Sequence, residues 1–178
     1  MARKTEQFID IANKLVDIED AFKAACLEGH LEIAKMLREK KPNVYISIPD
    51  DEFADICGDG HFELAKWLLE VNPDIDISMN DYQSFSYACL SGNLELAEFL
   101  LEKSKKFYAY EIDAYVYNTT FSWVCTTTGD VKVAEWLVNK CPSIDIYGHE
   151  RINFRNAFKN EYLELVDWFQ RLKSTQIC

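Results

Sequence analysis

Apolar residues return along this chain in a fixed order. The first copy reads Phe22, Ala25, Cys26, then Gly29, then Leu31, Ile33, Ala34 and Leu37. The second reads Phe53, Ile56, Cys57, Gly60, Phe62, Leu64, Ala65 and Leu68, and the third Phe85, Ala88, Cys89, Gly92, Leu94, Leu96, Ala97 and Leu100. A fourth copy, from Phe121, Val124 and Cys125 to Leu137, needs one extra residue before Gly129. A fifth, from Phe154, Ala157 and Phe158 to Phe169, has Glu161 where the others have glycine. Within each copy the leading trio falls at i, i+3 and i+4, one face of a helix. The glycine ends that helix in a left-handed cap. The next apolar residues, such as Leu31, Ala34 and Leu37, return to helical spacing. Two short helices cannot enclose a core alone, so each copy must close the open face of its neighbour.

Pro42, Pro73 and Pro142 follow second helices, and a proline stops a helix and pushes the residue before it towards extended geometry. Extended connectors are therefore expected at Asn72–Ser78 and Cys141–Tyr147. Asp20, Asp51 and Thr119 stand where first helices should begin and can serve as N-caps. "IDIANKL" at Ile9–Leu15 repeats the register of "LEIAKML" at Leu31–Leu37, as a lone capping helix would. The expected organisation is one domain over 1–178. It has a cap at 1–18, repeats at 19–49, 50–80, 81–117 and 118–148, and a capping repeat at 149–178.

A chain of 178 residues can bury a core of its own without staples. Its net charge of −11 argues against nucleic acid and anionic membranes, which call for a basic footprint. No apolar run approaches the ~20 residues of a membrane span. The N-terminus lacks the apolar stretch of a signal peptide. Six cysteines without paired spacing fit a reducing, cytoplasmic compartment.

The repeats resemble ankyrin repeats. The family pattern A-A-x-x-G-H-x-x-I-V-x-x-L-L is matched by Ala25-Cys26-x-x-Gly29-His30-x-x-Ile33-Ala34-x-x-Leu37, and again from Ile56-Cys57 to Leu68-Leu69. "NPDID" at Asn72–Asp76 echoes the family's G-A-D-V-N tail. The resemblance covers roughly residues 19 to 172. The T-P-L-H tetrapeptide is missing, replaced by "DAFK", "DEFA" and "TTFS", and the spacing of 31 or 32 residues shortens the fingers between repeats. This short-period variety is similar to the divergent ankyrin proteins of large DNA viruses of amoebae. The resemblance implies an all-α solenoid of stacked helix–turn–helix units with short extended connectors. It implies a non-enzymatic, monomeric interaction module that binds a partner protein through its concave face and finger loops. The alternative is an acidic structural or decoy protein that mimics nucleic acid or sequesters a host factor without a dedicated groove ligand.

The polar residues offer little chemistry of another kind. Cys26, Cys57, Cys89 and Cys125 share one repeat position but form no C-x-x-C pair, so core packing in place of alanine outweighs a metal or thiol ladder. His30 and His61 sit at the family's G-H position and are read as joining the repeat turns. No phosphate loop or nucleophile elbow occurs, and the acidic runs lack calcium-loop spacing. No cofactor and no metal are expected. Trp67, Trp136 and Trp168 share a second-helix position and are read as core.

The third connector is irregular. Gly92 and Gly129 lie 37 residues apart, and the lengthened segment carries Tyr108, Tyr110, Tyr115 and Tyr117. Their alternation suggests a hairpin finger, and inserts in repeat arrays often mark the binding face. With the end of each first helix and the remaining fingers, the expected contact set also includes Asp50, Asp59, Met79, Asp81, Tyr82, Leu90, Tyr147 and Glu150. The acidic members would suit a basic partner.

Overall fold

A computed structural model describes residues 18–40, 48–107 and 112–175. Among them are ten α-helices, taken here in chain order. They are α1 (Ile18–Leu27), α2 (Leu31–Lys40), α3 (Asp50–Gly58), α4 (Phe62–Val71), α5 (Met79–Leu90), α6 (Leu94–Phe107), α7 (Ala114–Trp123), α8 (Val131–Lys140), α9 (Ile152–Lys159) and α10 (Leu163–Thr175). Odd and even helices pair into five layers, and no strand occurs among the described residues. The N-terminal capping helix expected at 1–18 lies almost wholly outside them.

The leading trio of each copy is the core. Phe22, Phe53, Phe85 and Phe121 are fully buried, as are the four repeat-position cysteines and the leucines Leu37, Leu68, Leu100 and Leu137. Each layer passes an aromatic ring to the one before it. Trp67 packs on Phe22, Trp136 on Phe85 and Trp168 on Phe121, each with ring centroids 6.2 Å apart. The tryptophan stripe is therefore core packing. It reaches back to the first helix of the preceding layer.

The glycine turns follow from backbone geometry. Gly29, Gly60 and Gly92 hold φ between 73° and 76°. In each turn the glycine amide bonds three residues back and the next amide five residues back, as in Gly29 N–H to Cys26 O (3.1 Å) and His30 N–H to Ala25 O (2.7 Å). The fourth layer absorbs its extra residue as one π-turn over Val124–Thr128, closed by Gly129 N–H to Val124 O at 2.8 Å. The fifth layer makes the same turn as the first three, with Glu161 at φ 60°. A left-handed residue with a side chain costs roughly 1–2 kcal/mol. Glu161→Gly should therefore raise stability by about 1 kcal/mol, read as a higher urea midpoint at unchanged helix content. An unchanged or lower midpoint would contradict the strain.

The connectors differ from expectation. Asn72 (φ −124°, ψ 82°) and Cys141 (φ −132°, ψ 87°) do leave the helical region before proline. The chain then turns tightly, with Ile75 N–H to Asn72 O and Ile144 N–H to Cys141 O, and does not run extended. Proline's fixed φ favours the second position of a turn as well as extended chain.

Candidate functional surface on the first helices

The residue that follows each glycine locks one layer to the last. The ring of His61 lies where a side chain on Gly29 would stand, 2.3 Å from its ideal Cβ. Asn93 Nδ2 donates to Gly60 O at 3.1 Å. Tyr162 occupies the space beside Gly129 and donates its hydroxyl to Thr127 O at 2.7 Å. His61 thus joins adjacent turns, as its position suggested.

The same locks fix the ends of the first helices. The π-turn is held by its own threonines, Thr126 Oγ1 to Ser122 O and Thr127 Oγ1 to Trp123 O, both 2.7 Å. From the fifth layer, Asn160 Nδ2 donates to Thr126 O at 2.8 Å and Asn156 Nδ2 to Thr126 Oγ1 at 3.1 Å. This clamp presents Trp123, which is 43% exposed. Its ring lies 6.4 Å from that of Tyr87 at 48°. Tyr87 in turn lies over Gly58, whose ideal Cβ would come within 3.3 Å of Tyr87 Cδ2.

Tyr87 and Trp123 occupy one repeat position, two residues after the layer phenylalanine. Two residues turn a helix by about 200°, so this position faces away from the core by construction. Its equivalent in the second layer is Asp55, and Asp51, Asp55 and Asp59 form an exposed ridge at i, i+4 and i+8 along α3. An acidic ridge and an aromatic pair thus lie side by side on adjacent first helices. Trp123 was missed in the sequence, although it alone of the four tryptophans departs from the second-helix position.

The expected contact residues divide. Tyr115 (60% exposed), Met79 (47% exposed), Asp59, Asp81 and Glu150 are at the surface. Leu90 and Tyr147 are half-buried against the core, and Tyr147 packs on Phe169 at 5.9 Å. Asp50 is partly buried and accepts from Asp76 N–H at 2.9 Å, which ties its finger to the next connector. Tyr82 and Tyr117 are corrections. Both are buried, and Tyr117 lies edge-on against Phe85 at 5.6 Å. Tyr108 and Tyr110 lie outside the described residues.

The hairpin finger is a further correction where it can be seen. Asp113, not Thr119, caps α7, accepting from the amides of Tyr115 and Val116 at 3.0 and 3.1 Å. Thr119 sits inside the helix with its hydroxyl bonded to Tyr115 O and Val116 O. Likewise α3 begins at Asp50 with Pro49 before it, and Asp51 is not its cap. The first turn of α5 is unusual. Asn80, Asp81 and Tyr82 hold φ of 51°, 55° and 58°, a left-handed run without glycine.

The four repeat-position cysteines are sealed. Burial pushes the thiols of Cys26 and Cys125 up to about 12, with the charge of Glu52 adding to the effect at Cys26, and those of Cys57 and Cys89 further still. No group of three or more His, Cys, Asp or Glu side chains close enough to share a metal occurs among the described residues. None of their helices is long and apolar enough to cross a membrane.

Layers of paired helices, joined by glycine turns and stacked through one continuous core, define a helical-repeat solenoid. Residues 53–101, spanning the second and third layers, match the family model for ankyrin repeats (many copies). The described residues form an all-α solenoid of such layers, of which residues 53–101 are ankyrin repeats. Comparison with curated proteins gave no match, and comparison with solved structures gave none. Ankyrin repeats are generally protein–protein interaction modules.

Proposed function

We propose that the chain binds a partner protein across its first-helix face, the concave side of an ankyrin layout. Trp123 and Tyr87 are the anchors, and the α3 carboxylates are the guide. The observation that carries this reading is the exposure of Trp123 beside Tyr87, on a backbone clamped by the fifth layer. Rigid exposed aromatics are the usual centre of binding energy at protein interfaces. The neighbouring ridge of Asp51, Asp55 and Asp59 has no cation paired with it among the described residues, so it suits a segment with one large apolar side chain flanked by lysine or arginine. Tyr115, Met79 and Asp81 extend the surface towards the fingers. The reading places the protein in a reducing cytoplasm as a monomeric adaptor rather than a catalyst.

Trp123→Ala should weaken a co-purified partner by about 2 kcal/mol, near thirtyfold, through faster dissociation. Reversing Asp51, Asp55 and Asp59 to lysine should slow association and flatten its salt dependence. Both are read by surface binding kinetics, with circular dichroism confirming the fold. Parent-like binding by Trp123→Ala and Tyr87→Ala would move the interface off this face.

A further inference from the structure

The last layer shows an unfinished contact. Inside the array, the core phenylalanine of each first helix receives an aromatic ring from the layer that follows in three of the four cases. The first residue of a second helix is covered in the same direction, as Phe62 is by Phe99 at 5.9 Å. A charge is matched too: Lys23, one residue after Phe22, faces Glu52 of the following layer at 3.9 Å. The fifth layer repeats all three receiving positions as Phe154, Leu163 and Arg155. No described layer follows it.

The outward face of the fifth layer is not polar. Leu163 is 71% exposed. Phe158, standing where the other layers bury cysteine, is 67% exposed and stacks on Phe154 at 22°. Two concavities of about 430 and 440 Å³ flank Phe154. Among the described residues four cations line them, Arg151 and Lys173 on one side and Arg155 and Lys159 on the other, and no carboxylate does. None of the four forms a salt bridge among the described residues, on a chain of net charge −11. The buried hydroxyl of Tyr147, which lines the first concavity, has no hydrogen-bond partner among them either.

We infer that the C-terminal end of the solenoid is a second docking surface, whose occupant is an acidic amphipathic helix of another protein. Such a helix would lie where the next layer's helices would. Its apolar stripe would cover Phe154, Phe158 and Leu163, as Trp67 covers Phe22. Its carboxylates would meet Arg155 and Lys159, as Glu52 meets Lys23. A second copy of this chain placed symmetrically would bring these cations against themselves, which disfavours it. The surface is separate from the first-helix face, so either can fail without the other.

The test is selection of a displayed library of 16-residue helical peptides on the full chain, counter-selected on Phe158→Glu. Recovered peptides should carry large apolar residues at i, i+3 or i+4, and i+7, flanked by aspartate and glutamate. The strongest, fluorescently labelled, should bind at least tenfold more weakly to Phe158→Glu and to Arg155→Glu/Lys159→Glu, and equally to Trp123→Ala. The double charge variant leaves the apolar patch intact and serves if Phe158→Glu does not fold. Enrichment of basic or neutral peptides, or indifference to both variants, would overturn the proposal. So would a wild-type dimer in sedimentation that Phe158→Glu returns to monomer.

Discussion

Phe121→Ala should destabilise the chain by about 3–5 kcal/mol, the range for truncating a buried aromatic. Phe121 has no exposed surface and touches two rings of the following layer, Trp168 at 6.2 Å and Phe169 at 6.3 Å. The cavity would therefore open at a layer boundary rather than inside one layer. In a stacked array the coupling between neighbours is a large share of stability. The variant should lose its fifth layer first, so Trp168 fluorescence should report unfolding at lower urea than helix content does. Phe154→Ala makes the same chemical change at the end of the array. Phe154 contacts Phe158 and Phe169, and no described layer lies beyond it. Its midpoint shift should be clearly smaller, and equal shifts would contradict stacking as the source of stability.

What the sequence revealed, and what it hid, follows from the size of the motif that carries each feature. The glycine turns, the buried cysteines and the tryptophan stripe were legible because each recurs at the same offset from its layer phenylalanine, once the extra residue of the fourth layer is allowed for. The extra residue before Gly129 could be counted, but not its form. One inserted residue fits equally a longer loop or a helix widened to i→i−5 bonding, and Thr126 and Thr127, whose hydroxyls bond four residues back, decide for the latter. The tyrosine connector misled for a geometric reason. Residues two apart share a face on a strand, whereas on a helix they are about 200° apart, and the tyrosine spacing alone does not say which holds. Tyr115 exposed and Tyr117 buried fit the helix and not the strand. Asp113 was the distinguishing signal, a good N-cap ahead of a run whose alanine and asparagine are poor strand formers. Trp123 was hidden because its meaning lies in a comparison between layers. Only after Tyr87 and Asp55 are placed at the same offset does that position stand out as solvent-facing.

Raising the pH should unfold the protein through its thiols. Cys26, Cys57, Cys89 and Cys125 are fully buried. Burial raises every one of them above the range of an ordinary thiol, near 9, Cys26 and Cys125 to about 12. The sign follows from which form each state holds. Above pH 9 the unfolded chain releases these protons while the folded chain keeps them, so the unfolded state gains stability. The thiol contribution is fully present below pH 9 and is lost as pH climbs towards the folded values. Each such thiol shifts the balance by about 1.4 kcal/mol per pH unit in that window. Four together give about 6 kcal/mol per unit, so on the order of 10 kcal/mol has gone by pH 11, comparable to the roughly 5–15 kcal/mol that holds a typical domain together. Lysines and exposed tyrosines also titrate there, so the decisive quantity is a difference in slope. Urea stability measured between pH 9.5 and 10.5 should fall about 1.4 kcal/mol per unit less steeply in Cys89→Ala than in the parent. The cavity left by alanine lowers the whole curve but leaves its slope alone. In parallel, iodoacetamide at pH 9.5 should modify the four buried thiols only as fast as the chain unfolds. An unchanged slope in Cys89→Ala, together with labelling at the rate of a free thiol, would show that the cysteine column is open to solvent.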